Sequence, residues 1–460
     1  MEKKLGLSAL TALVLSSMLG AGVFSLPQEM AAVASASALL IGWAITGVGI
    51  LFLAFAMLLL TRIRPDLDGG IFTYAREGFG ELIGFCSAWG YWLCAVIANV
   101  SYLVIVFSAL SFFTDTPELR LFGDGNTWQS IVGASVLLWV VHFLVLRGVQ
   151  TAAGINLVAT LAKLLPLGAF VALAALAFQL DTFRLDFSGL ALGVPVWEQV
   201  KNTMLITLWV FIGVEGAVVV SARARHKRDV GRATLLAVLS ALAVYLLVTL
   251  LSLGVVPRSE LAEMRNPSMA GLMVRLMGSW GEIVIAAGLI VSVCGAYLSW
   301  TIMAAEVPFL AATHKAFPRL FARQNSNNAP SASLWLTNIS VQVSLVLIWL
   351  TGSDYGTLLT IASEMILVPY LLVGAFLLKI ATRPLHKAVA IGACIYGIWL
   401  LYASGPVHLL LSVVLYAPGL LVFLYARRTH QHDRSLKRRE VALIGLLLVA
   451  AVPATWMLVG

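Results

Sequence analysis

Charge is scarce in this sequence. Its 460 residues include 22 acidic and 30 basic side chains, 11% of the chain, where soluble domains carry roughly 25%. A soluble protein so poor in charge could not cover its surface, and the apolar share of 60% and mean hydropathy of +0.95 have the same implication. Long polar linkers are missing too, so there is no room for a soluble catalytic or nucleotide-binding domain. Neither G-x-x-x-x-G-K-[ST] nor H-E-x-x-H occurs, and without them no phosphate cradle or zinc-hydrolase site is expected. Only four cysteines are present, Cys86, Cys94, Cys294 and Cys394. All lie in or beside apolar runs without paired metal-ligand spacing, so they read as small hydrophobes, and no disulfide framework, metal or cofactor is expected.

The chain does contain apolar runs of about 20 residues, each able to cross a hydrocarbon core of about 30 Å as a helix. They fall at 7–33, 37–61, 80–113, 127–146, 154–178, 199–221, 234–256, 280–305, 331–350, 357–378, 388–404, 408–426 and 441–459. The runs are continuous rather than alternating, which excludes a β-barrel and leaves an all-α polytopic membrane protein. Twelve or thirteen spans are expected, the last set apart by a basic segment. The first run is too long for a signal-peptide core and lacks a cleavage site.

Basic residues report orientation. With the N-terminus in the cytoplasm, 23 of the 30 fall on cytoplasmic loops, six on the other side, and Lys163 lies within a span. Cytoplasmic loops retain Lys and Arg, and the same distribution accounts for the net charge of +8 through the anionic leaflet rather than nucleic acid. The expected partners are membrane lipid and a small ligand.

Two spans carry glycines and small polar residues at mid-membrane: Ser16 to Phe24 in the first, and Trp209 to Gly216 in the sixth. Either alone is explained by close helix packing through small residues. As a pair they match an inverted repeat of five helices, whose broken first and sixth members supply half-helix ends to a midplane site. Free N–H groups at a half-helix N-terminus suit a carboxylate, and freed carbonyls suit an ammonium. Together these would hold the head of an α-amino acid. Glu215 sits at the second break, where an ionisable group is costly and marks function; Glu306 and Glu364 lie nearer span ends and read equally well as interfacial.

Three segments in order, Met18 to Pro27, Asp68 to Gly80 and Phe211 to Glu215, resemble the basic amino acid/polyamine antiporters of the amino acid–polyamine–organocation superfamily. The similarity runs over nearly the whole chain and is greatest to the arginine/ornithine antiporters of bacterial inner membranes, through Ser25-Leu26-Pro27-Gln28 and Ser87 to Trp92. The resemblance implies repeats at 1–178 and 199–380 with extra helices over 388–460. It puts the substrate carboxylate on the backbone of Ala21 and Gly22 and the α-amino group on carbonyls around Ile212. It places aromatic contacts at Trp209 and Trp300, an amide at Asn99, and gating groups at Tyr91, Glu215 and Tyr370. An indole face attracts a delocalised cation by about 0.5–2 kcal/mol, and Tyr91 and Asn99, eight residues apart, can share a face. Trp209 and Trp300 also fit as packing residues, Asn99 as glue between helices, and Tyr370, after Pro369, as part of a kink. Where agmatine exchangers carry a cysteine and a serine this chain has Ala95 and Ala362, so its distal pocket differs.

A lysine matching Lys163 stands, in sodium-independent relatives, where a sodium ion sits in sodium-coupled ones. The resemblance implies that Lys163 substitutes for that ion, as a fixed charge or a titrating one. The function implied is exchange of arginine for ornithine or a related cationic amino acid, with a proton-coupled importer as the alternative. A homodimer is left open. A sensor is disfavoured by the lack of a signalling domain, and an enzyme by the lack of a nucleophile–base cluster.

Overall fold

The computed structural model describes residues 4–116, 118–352, 355–430 and 436–459. A helix occupies every run singled out above. The first span is two helices, α1 (Leu7–Met18) and α2 (Gly22–Val33). There follow α3 (Ala36–Ile63), the short α4 (Ile71–Phe79), α5 (Glu81–Thr114), α6 (Trp128–Leu146), α7 (Val149–Ala177) and α8 (Leu180–Arg184). The sixth span is also split, into α9 (Val196–Phe211) and α10 (Gly216–Val219). Next come α11 (Lys227–Val255), α12 (Arg258–Glu263), α13 (Ser268–Met277) and α14 (Ser279–Thr313). The chain ends with α15 (Ser331–Thr351), α16 (Tyr355–Ile380), α17 (Pro384–Ser404), α18 (Pro406–Thr429) and α19 (Arg438–Val459). Ten of the described helical segments are long and apolar enough to cross a membrane. The split sixth span, α18 and α19 stand outside that ten, the latter two with 24 and 22 residues. The only extended pairing among the described residues is an isolated parallel bridge, Leu5 with Ala224.

Lipid cannot hydrogen-bond a backbone, so each span closes its own ladder. Breaks are tolerated only where protein surrounds them, and both breaks here are buried. The halves α1 and α2 pack against α7, α9, α11 and α14, while α5 and α14 flank the centre. Spans also pack against their counterparts five further on: α2 on α9, α3 on α11, α5 on α14 and α6 on α15. A local parallel accompanies this. The 9-residue α4 leads through Gly80 (φ +101°) into the 34-residue α5, and the 10-residue α13 leads through Gly278 (φ +72°) into the 35-residue α14. Glycine suits such positive φ values because it has no Cβ.

Candidate functional site

The first break runs over Leu19, Gly20 and Ala21, and the second over Ile212 to Glu215. They pack on each other. A Cβ at Gly22 would lie 2.9 Å from Val210 and 3.2 Å from the Trp209 indole nitrogen. Gly213 has φ +110°, and a Cβ there would meet Ser17 at 2.5 Å; only glycine satisfies both limits. The single hydroxyl hydrogen of Ser17 is shared between the Val14 carbonyl of its own helix at 2.8 Å and the Gly213 carbonyl at 3.2 Å, so Ser17 touches both breaks.

Ending α1 at mid-membrane strands its last carbonyls, which water would satisfy at an exposed terminus. Side chains from three neighbouring helices take that role. Lys163 Nζ on α7 donates to the Ser16 carbonyl (3.1 Å), Ser16 Oγ (2.9 Å) and the Leu19 carbonyl (2.9 Å). The Leu19 carbonyl also accepts from Ser292 Oγ on α14 at 3.0 Å. Trp300 Nε1 and the Tyr102 hydroxyl both donate to the Ser17 carbonyl, at 3.1 and 3.3 Å. At the end of α9, the Tyr245 hydroxyl donates to the Val210 carbonyl at 2.6 Å. Lys163 is fully buried. Its three donors meet three oxygens at the negative end of the α1 dipole, a setting that suits an ammonium.

Not every polar group at the breaks is spoken for. No side chain caps α2, whose N-cap residue is Ala21. Among the described residues neither the Ala21 N–H nor the Ile212 carbonyl has a hydrogen-bond partner. Asn99, wholly buried on α5, leaves both its amide oxygen and its amide nitrogen without partners. Buried polar atoms are seldom left so.

Aromatic rings line the same region. Tyr91 and Trp300 stack with centroids 6.3 Å apart, and Tyr102 lies 6.2 Å from Trp209, tilted by 34°. All four are at most 4% exposed. On the α10 side of the second break the Glu215 carboxylate accepts from the Tyr370 hydroxyl at 2.5 Å and from the Gly213 N–H at 3.1 Å. The second carboxylate oxygen has no hydrogen-bond partner. Ala21, Gly22, Trp209, Ile212 and Trp300 thus lie at the crossed breaks, with Tyr91 on Trp300 and the Glu215–Tyr370 pair beside the second. Three further contributors are Ser17, which lies in the Ser16 to Phe24 stretch of the first span but to which the sequence assigns no role of its own, and Tyr102 and Ser292, which carry no signal of their own in the sequence. Spacing could have found two: Tyr102 is three residues after Asn99, and Ser292 eight before Trp300, each on a shared helix face.

Beyond α10 the chain is tied down. Arg223 donates from Nε and Nη2 to Glu306 on α14, at 3.1 and 2.9 Å. Lys227 pairs with Asp68 ahead of α4, and Leu5 exchanges backbone hydrogen bonds with Arg223 and Arg225. Glu306, read equally well as interfacial above, is 1% exposed and bound in this cluster.

Crossed broken helices around an uncapped N-terminus, inside a bundle whose spans pack on their counterparts five positions later, define a multi-pass transporter of the inverted-repeat class. A solved structure of MhsT in complex with L-phenylalanine has the same fold, with TM-score 0.61 and 13% identity, covering 86% of this chain and 97% of that one. The family model described as amino acid permease matches residues 5–447. The chain belongs to the amino acid permease family. A protein of Escherichia coli (strain K12), named provisionally as an arginine/ornithine antiporter, is 88% identical over the full length of both chains. The arginine/ornithine antiporter of Pseudomonas aeruginosa is 47% identical, covering 93% of this chain and 91% of that one. The arginine/agmatine antiporter of Chlamydia caviae is 40% identical, with 99% and 97% covered.

Proposed function

We propose that the protein exchanges arginine for ornithine, or for a related cationic amino acid, by alternating access and without sodium. The observation that carries this reading is the pair of unspent backbone groups at the two breaks, the Ala21 N–H and the Ile212 carbonyl, a donor and an acceptor of the kind that suit the carboxylate and ammonium of an amino acid head. Ala21 and Gly22 hold the carboxylate at the positive end of α2, and Ile212 accepts from the α-ammonium. The indoles of Trp209 and Trp300 and the amide of Asn99 receive the cationic side chain. Tyr91, Glu215 and Tyr370 gate the cytoplasmic exit, and Lys163 stands in place of a coupling sodium ion. Similarity to relatives named for arginine, ornithine and agmatine supports the substrate class.

The repeats run over 1–178 and 199–380, with additional helices over 388–460. The N-terminus is cytoplasmic in the inner membrane, an orientation supported by the skew of 23 basic residues to one side. Substrate closes the outer parts of the first and sixth spans, and the empty carrier returns slowly, which couples uptake to release. Counterflow in proteoliposomes tests the reading. A panel of internal amino acids should show labelled-arginine uptake only with arginine, ornithine or a close cationic analogue inside, equally in sodium and potassium buffers. Uptake that follows internal neutral amino acids, or that needs sodium, overturns it.

A further inference from the structure

Away from the crossed breaks, a groove of about 550 Å³ lies where the end of α4, the start of α5, the end of α16 and the start of α19 converge. Two chemistries meet in its lining. Lys379, Lys437 and Arg439 supply three positive charges, and Phe79, Leu82 and Leu443 supply an apolar wall. One carboxylate is present, Glu440, which accepts from the Lys437 backbone N–H at 2.8 Å and so caps the start of α19. Lys379 is anchored rather than free to swing: its Nζ donates to the Gly78 carbonyl at 2.5 Å and sits 5.7 Å from the Phe79 ring centre. An ammonium has three donors, so an anchored Lys379 keeps capacity for an anion in the groove.

We infer that this groove is a binding site for an anionic phospholipid, with its headgroup phosphate on Lys379, Lys437 and Arg439 and an acyl chain along Phe79, Leu82 and Leu443. Charge complementarity favours an anion, and the apolar wall favours one that carries a hydrocarbon tail over free phosphate. The four helix ends lie on the side that the basic residues mark as cytoplasmic, where anionic lipid concentrates and basic pockets between spans collect headgroups. The site pins α19, the helix set apart by its basic segment, to α4 and α16. The inference rests on orientation and not on which amino acid is carried.

Native mass spectrometry of the detergent-purified full chain tests it, with phosphatidylglycerol, phosphatidylcholine and inorganic phosphate as probes. The wild-type protein should retain phosphatidylglycerol in preference to phosphatidylcholine. Lys437→Gln with Arg439→Gln should weaken that binding by about tenfold to thirtyfold, as expected for two charges at a membrane surface. Lys437→Arg with Arg439→Lys, which keeps the charge, should preserve it, and Lys315→Gln with Arg319→Gln in another basic loop should not change it. Unaltered binding in the neutralised variant, loss in the charge-preserving one, or equal retention of phosphatidylcholine overturns the assignment. Inorganic phosphate that displaces the lipid at matched concentration overturns the lipid as occupant.

Discussion

Lys163→Met keeps an unbranched side chain of similar length and removes only the ammonium, so its consequences can be worked bond by bond. Three acceptors lose a donor. The Leu19 carbonyl retains Ser292, and the neighbouring Ser17 carbonyl retains Trp300 and Tyr102. The Ser16 hydroxyl can turn to its own helix. What remains is one buried main-chain carbonyl without a partner, which costs about 1–3 kcal/mol. Part of that is offset because a buried cation no longer has to be desolvated. The residual cost falls on residues 16–20, which position the N-terminus of α2, and couples to substrate as about 5–150-fold weaker binding. Scintillation-proximity binding of labelled arginine to the purified variant reads this directly, with melting in the same detergent as the fold control. Arginine affinity within about twofold of wild type in a folded Lys163→Met protein, below the smallest coupling expected, would refute the assignment of Lys163 to the site.

Trp300→Phe keeps a ring beside Tyr91 but removes the hydrogen bond to the Ser17 carbonyl, which Tyr102 still serves; arginine binding should weaken by about fivefold, a loss near 1 kcal/mol. Trp300→Ala removes the ring as well and should discriminate against cationic substrates far more, measured by competition with a neutral amino acid. Glu215→Gln still accepts from Tyr370, so it should slow counterflow while leaving equilibrium affinity within a few-fold; an affinity loss matching that of Trp300→Ala would place Glu215 in the binding pocket rather than at a gate. Glu306→Gln removes the carboxylate partner of Arg223 at a partly solvated edge, costing about 1–3 kcal/mol, less than a fully buried pair. It should raise labelling, by an impermeant thiol reagent applied from the side on which α10 opens, of a single cysteine placed at Val218 in a cysteine-free background. Unchanged labelling would show that this ion pair does not hold the α10 end of the sixth span closed.

A helix lies on each of the thirteen runs read from hydropathy, ten of the described segments being long and apolar enough to cross a membrane, because lipid permits few alternatives to a helix that satisfies its own backbone. Their ends were less legible. α11 starts at Lys227 rather than 234, and α14 runs to Thr313 rather than 305. Charged turns stop an apolar run, but they do not stop a helix that continues into the interface. The short helices α4, α12 and α13 were not legible either: even the apolar α13, at 10 residues, is too short to count as a span. The two breaks were visible as clustered glycines, but the partners that stabilise them were not: Trp300 and Ser17 are 283 residues apart, and Lys163 and Ser16 are 147 apart. Only the folded arrangement makes Ser17 a link between the breaks, or gives Tyr102 a role beyond packing. Glu306, ambiguous by position, acquired meaning only through Arg223.

Obligatory exchange of cationic amino acids is the central claim, and loading the vesicle lumen isolates it. Labelled-arginine uptake into reconstituted proteoliposomes should be fast when the lumen holds ornithine or arginine and near background when it holds only buffer, even under an inward proton gradient. Equal uptake into empty and ornithine-loaded vesicles under that gradient would contradict exchange and establish a proton-coupled importer instead.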